Sequence, residues 1–179
     1  MHTRSLTVVD GTRPGGVAGT RLVRWFVRQA QTDGRADVRT VDAQADPGSF
    51  RDCIASSDAI VIVTPEYNHS FPGWLKSAID ALRVEWATRP VGFVTHGGRS
   101  GGLRAAEQLR LVFAELHAMT IRETLGFANA HEIFDDNGTA QDPNLDTAHQ
   151  QFLDVLYWWA DAVRAGHQIR DYPLTISRG

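Results

Sequence analysis

Residues 59–64 (AIVIVT) and 91–94 (VGFV) are almost wholly apolar. A strand with no polar side must be covered on both faces, which is the situation of a central strand in a parallel sheet. Three further runs have strand character: LTVVD at 6–10, DVRTVD at 37–42 and TIRETL at 120–125. Between them, apolar residues recur every three or four positions. Leu22, Phe26 and Ala30 share a helical face, as do Leu75, Ala78, Ile79, Leu82 and Trp86. Leu109, Val112, Phe113 and Leu116 repeat the pattern, as do Phe152, Val155, Leu156, Trp159 and Val163, and residues 47–57 fit a shorter helix. Five strands alternating with five helices imply right-handed crossovers and a parallel sheet with helices on both sides. The natural strand order for five such units is 2-1-3-4-5, with ligands outside the carboxyl ends of the strands beside strand 1. The loops after strands 1, 3 and 4 therefore become the places to look.

The chain of 179 residues is long enough for one domain with a sizeable core, and 1–179 is expected to form a single unit. A formal charge of −3 gives no electrostatic footprint for nucleic acid or an anionic membrane surface. Cys53 is the only cysteine, which excludes an internal disulfide and fits a reducing, cytoplasmic compartment. No apolar run approaches the roughly 18 residues of a membrane span. The HEIFD segment at 131–135 lacks the second histidine of a zinc helix, and 135–138 (DDNG) reads as a turn, so no metal is expected. The arginines of 99–110 read as a solvated helix face, and Trp158-Trp159 as a core or subunit contact.

The stretch after strand 1, DGTRPGGVAGTRLVRW, places four glycines, two threonines and three arginines at the start of a helix. Glycines let the chain turn tightly, and a helix start presents N–H groups and about half a positive charge. Either a phosphate cradle or a plain flexible loop satisfies that composition. The loop after strand 3, TPEYNHSFPG, holds Glu66, Tyr67, Asn68 and His69 between Pro65 and Pro72. A proline-bounded turn with Asn68 and Ser70 capping the next helix explains it in part; a wall for a planar, polar-edged ligand explains more. The loop after strand 4, THGGRSGG, has glycine at four of the six positions 97–102. Such a run calls for positive φ or close approach to another group. One loop suited to phosphate and two suited to a flat ring describe a mononucleotide pocket.

Three segments, TRPGGVAGTRLVRW (12–25), IVIVTPEYNHSFPGWLKSAIDAL (60–82) and FVTHGGRSGGLRAAEQLR (93–110), resemble the NADPH-dependent FMN reductase family. The resemblance implies a flavodoxin-like three-layer α/β/α fold, bound FMN, NADPH or NADH as co-substrate, and a homodimer or homotetramer. It puts Thr12, Arg13, Gly19 and Thr20 around the FMN phosphate. Pro65, Glu66, Tyr67 and Asn68 would line the ribityl chain and isoalloxazine, and His96, Gly97, Gly98, Ser100 and Gly101 would meet the pyrimidine edge. The helix expected over 73–86 would pack across a dimer interface. One departure stands out: such proteins end strand 1 with Gly-Ser, where this chain has Asp10-Gly11. A carboxylate is thereby placed near a phosphate, with Arg13 and Arg21 available to offset it.

The activity so implied is passage of hydride from NAD(P)H through FMN to a quinone, flavin or similar small acceptor. His69 and His96 are candidate proton donors to that acceptor, and Arg99 and Arg104 candidates for the 2′-phosphate of NADPH. The alternatives are a reductase that supplies free reduced FMN to a partner monooxygenase, a flavodoxin-like electron carrier, and a flavin-free interaction module.

Overall fold

The computed structural model describes residues 3–140 and 142–173. In chain order the elements are β1 (Arg4–Asp10), α1 (Val17–Asp33), β2 (Ala36–Asp42), α2 (Pro47–Ala55) and β3 (Ala59–Pro65). They continue with α3 (Gly73–Asp80), β4 (Pro90–Gly97), α4 (Leu103–Glu115), β5 (Met119–Ala128), α5 (Ala130–Ile133) and α6 (Asn144–Ile169). All strand pairs are parallel and the order is β2-β1-β3-β4-β5, as expected from the alternation of runs. The fold is the flavodoxin-like doubly wound sandwich.

Every residue of β3 is buried, and its side chains divide between two cores. Val61 and Val63 join Leu6, Val8, Phe26 and Phe152 beneath α1 and α6. Ile60 and Ile62 join Val9, Ile79, Phe93 and Phe113 beneath α2, α3 and α4. Burying both faces of a strand at about 25 cal/mol per Å² makes the centre of the sheet the most strongly stabilised part of the fold. Cys53 packs part-buried against the second core.

The helical stripe of 75–86 does not keep one helix to its end, because α3 stops at Asp80. Past that point the Leu82 N–H donates to the Ile79 carbonyl at 3.2 Å, a tightened last turn. The Trp86 indole N–H donates to the Ile79 carbonyl at 3.0 Å, while the Arg83 amide, which a continuing helix would aim there, donates to Glu85 at 3.1 Å. Leu82 and Trp86 are buried all the same, from the turns that lead into β4. A sixth, four-residue helix, α5, follows β5. Trp158 is 62% exposed, so it is not a core residue; Trp159 packs part-buried against the first core.

Candidate functional site

Three connections leave the carboxyl edge of the sheet side by side: 11–16 after β1, 66–72 after β3 and 98–102 after β4. The first is pinned to its neighbours by its backbone. Gly11 donates its N–H to the Val63 carbonyl at 2.8 Å and accepts the Trp74 indole N–H at 3.1 Å. Asp10 folds back on the loop, its Oδ1 accepting the Thr12 N–H at 2.9 Å and the Thr12 hydroxyl at 2.6 Å. Thr12 is buried (5% exposed) and lies against α1, where a Cβ at Gly19 would come within 2.5 Å of the Thr12 Cβ. A turn over 13–16, closed by Gly16 N–H to Arg13 C=O at 2.8 Å, delivers the chain to α1. No side chain caps that helix and its first turn holds no acid, so its N-terminal dipole is left to a ligand or to water. Arg13 is exposed beside it. Arg21 faces elsewhere, donating to the carbonyls of His131 and Phe134 and pairing with Asp136, and so does not offset Asp10.

The second connection is a tight turn. Tyr67 and Ser70 exchange backbone hydrogen bonds of 2.8 and 3.0 Å, with φ of +50° at Asn68 and +65° at His69. Positive φ at both central residues matches the geometry of a type I′ turn, a conformation that asparagine and histidine tolerate better than most residues. Asn68 and His69 therefore stand exposed at a tip, and neither Asn68 nor Ser70 caps α3, whose N-cap is Pro72. Tyr67 stacks edge-on against Trp74, ring centres 5.9 Å apart.

The third connection is held by Glu66. Its carboxylate accepts from the Ser100 hydroxyl at 2.7 Å, the Arg104 N–H at 3.1 Å and the Arg104 guanidinium at 3.0 Å. Burial would raise its pKa, but the bonds from Ser100 and Arg104 outweigh that and hold the carboxyl below its usual range. Glu66 and Ser100, both expected to meet a ligand, thus bind each other and lock the β3 and β4 loops together. Arg104 belongs to the same clasp. Gly102, at φ +87°, would place a Cβ 2.6 Å from the Thr95 Cβ, and Gly101 packs onto the backbone of 126–128. Part of the glycine run thus serves the protein's own packing. Gly98 is different: a Cβ there would meet nothing within 4 Å.

His96 ends this strand half-buried, its Nε2 enclosed with no hydrogen-bond partner. Burial pushes its pKa down to about 4, so the ring is neutral near pH 7. As a proton donor it would act as a neutral N–H, not as an imidazolium.

A cavity of about 570 Å³ opens between the first two loops, bounded by Arg13, Pro14, Gln44, Tyr67 and Trp74. Its size suits a mononucleotide. Trp74 and Gln44 were not singled out in the sequence. Trp74 sits one residue beyond the proline-bounded stretch, and Gln44 follows β2, whose end lies at the same edge as β1. A larger cavity of 690 Å³ lies at the opposite end of the sheet, among Thr88, His117, His167 and Tyr172. Among the described residues no group of three His, Cys, Asp or Glu side chains is arranged to hold a metal ion.

Residues 4–132 match the model of the NADPH-dependent FMN reductase family. The chain belongs to that family. It is 35% identical over 136 residues to a quinone reductase of Pseudomonas putida, covering 70% of this chain and 72% of that one. It is also 35% identical over 127 residues to an NAD(P)H-dependent FMN reductase of Pseudomonas aeruginosa, covering 64% and 65%. A solved NAD(P)H:acceptor oxidoreductase from Paracoccus denitrificans, 22% identical, superposes with a TM-score of 0.70 over 89% of this chain and 98% of its own, a likeness of fold.

The residues present fit the family's FMN. An uncapped helix start, an adjoining cavity, open space at Gly98 and an unpartnered buried nitrogen on His96 meet at one edge. Arg13 and the first turn of α1 would hold the phosphate, and Tyr67, Trp74 and the 96–98 segment would border the rest.

Proposed function

We propose that this NAD(P)H-dependent oxidoreductase holds FMN at the carboxyl edge of its sheet and delivers electrons to a small acceptor of the quinone or flavin class. The observation that carries this is the convergence of the uncapped α1 N-terminus with a mononucleotide-sized cavity walled by Tyr67 and Trp74. FMN, when bound, supplies the chemistry: it accepts hydride from a nicotinamide and releases electrons singly or in pairs.

The chain's own residues supply position and field. Arg13, Thr20 and the N–H groups opening α1 attract an anion, and Gly19 keeps that helix close to the loop. Pro65 and Glu66 stiffen the wall that Tyr67 and Asn68 present, Glu66 through Ser100 and Arg104. His96, Gly97, Gly98, Ser100 and Gly101 form the loop we assign to the polar edge of the ring, with neutral His96 offering an N–H that costs no charge. His69, exposed at the tip of its turn, is the residue we assign to the acceptor rather than the cofactor. With Arg104 engaged by Glu66, Arg99 is the arginine we assign to an NADPH 2′-phosphate.

We read the 179 residues as one domain, working as a homodimer or homotetramer in the cytoplasm. Support for association comes from large apolar side chains left exposed, Leu111 at 68% and Trp158 at 62%. A single cysteine in the chain supports a reducing compartment. No described helix is long and apolar enough to cross a membrane. Relatives that carry the names of reductases leave the electron-carrier and interaction-module alternatives unfavoured.

The test is spectroscopic and kinetic. The purified chain, titrated with FMN, should shift the flavin absorbance and then oxidise NADPH or NADH when benzoquinone is added. Absence of a flavin spectral change together with absence of NAD(P)H oxidation would overturn the proposal.

A further inference from the structure

The first loop carries its own anion. Asp10 Oδ1 takes both the main-chain N–H and the hydroxyl of Thr12, and Thr12 is buried, so neither donor faces the cavity. The next strand repeats the arrangement. Asp42 is the register partner of Asp10, and its Oδ1 accepts the Gln44 N–H at 2.7 Å, with Gln44 on the cavity wall. A second carboxylate, that of exposed Asp42, thus belongs to the neighbouring strand at the same edge of the sheet. The cations that would balance them are engaged elsewhere, Arg21 by Asp136 and Arg104 by Glu66. Arg13 and the α1 dipole remain to attract an anion, against a resident negative charge one loop turn away.

We infer that Asp10 is a specificity-determining residue: it takes the Thr12 donors of the loop and sets a negative charge against Arg13 and the α1 N-terminus, so the site selects a flavin mainly by its ring and discriminates little between FMN and riboflavin. This rests on the flavin reading above and extends it to the ligand class, flavins with or without a 5′-phosphate. Opposing Coulomb terms of similar size, the helix start and Arg13 against Asp10, leave a small net preference.

The experiment is a fluorescence titration of the full chain with FMN and with riboflavin, for the native protein and Asp10→Asn. Asparagine keeps an oxygen that can accept from Thr12 and removes the charge. The native protein should bind the two flavins within about tenfold of each other. Asp10→Asn should tighten FMN by about tenfold or more and move riboflavin by less than about twofold. A native preference for FMN above about 100-fold, or an Asn variant with unchanged or weaker FMN binding, would overturn the inference. Should the variant fail to fold, ionic strength decides with the native protein alone. Screening a net repulsion leaves FMN affinity flat or rising with salt relative to riboflavin, whereas a steep fall means a net attraction and an idle Asp10. Failure of both flavins to bind would sink the flavin reading itself, and this inference with it.

Discussion

The two ends of the sheet differ in a way that volume alone would misjudge. The amino end holds the larger cavity, 690 Å³ against 570 Å³ for the cavity at the carboxyl end. Yet several polar groups on its wall pair with one another: the Thr88 hydroxyl with His167 Nε2 at 2.9 Å, His117 Nδ1 with the Tyr172 hydroxyl at 3.1 Å, and the Thr88 N–H with the His117 carbonyl at 2.8 Å. At the carboxyl end a helix start has no side-chain cap and His96 Nε2 is buried without a partner. An unmatched polar group in a low-dielectric place is costly unless something completes it. The proposal that FMN binds at the carboxyl end rests on those two unmet groups beside a cavity, not on empty space.

If that contrast is right, changes that disturb the carboxyl end should be severe and changes at the amino end mild. The largest effect belongs to Gly102→Ala, which combines positive φ with a Cβ 2.6 Å from Thr95. Strain and overpacking together predict a loss of about 4 kcal/mol, read by chemical denaturation, with flavin binding abolished. Gly98→Ala, four positions away in open space, should stay within about 0.5 kcal/mol of the native protein. Equal losses in the two variants would remove the packing explanation for Gly102.

Acid should come next. His96 and His149 are both held near pKa 4 by burial, the second between the rings of Trp25 and Phe26. A folded pKa below the unfolded value of about 6.5 means the unfolded chain binds the extra proton. That stability is therefore present above about pH 6.5 and is lost as pH falls toward 4, by about 2 kcal/mol per histidine between pH 7 and 5. Urea midpoints measured across that range should fall, and His149→Leu should shallow the fall without touching flavin affinity. A bound flavin that hydrogen-bonds His96 should shift the His96 part only, which separates the two ends of the argument by ligand.

A smaller effect is expected from Glu66→Ala, which frees Ser100 and Arg104 and should cost about 1–2 kcal/mol in thermal or urea unfolding. Since the folded Glu66 carboxyl titrates below its usual value, its contribution is present above the unfolded pKa and disappears as pH drops through the folded one. The native and alanine proteins should then converge in stability at low pH. Least affected should be Tyr172→Phe at the amino end, an exposed pair worth under about 0.5 kcal/mol, with NAD(P)H oxidation unchanged. A drop in flavin binding in that variant would break the comparison between the ends.

Much of the frame could be read from residue order because burial on two faces leaves its mark in every position of AIVIVT and VGFV. The topology rule then named the three loops without any side-chain geometry. What escaped were choices between donors. Nothing in the spacing of Leu75, Ile79, Leu82 and Trp86 tells that α3 stops at Asp80 and that the indole N–H of Trp86 reaches back to the Ile79 carbonyl. Asn68-His69 looked like chemistry and has a backbone explanation, since both residues occupy the positive-φ centre of a two-residue turn. Glu66, Ser100 and Arg104 were each visible as polar residues near the edge, but their mutual pairing depends on two loops meeting in space. Asp10 was noticed for its charge; that its carboxylate turns inward onto Thr12 follows only from the loop's path.

The central claim, that FMN is received by the carboxyl-edge loops, is tested most directly by hydrogen–deuterium exchange with and without FMN. Bound FMN should slow exchange in 11–20, 66–74 and 96–104 and leave 114–119 and 163–173 unchanged. Protection confined to the amino-end segments, or none in the three loops under saturating FMN, would contradict it.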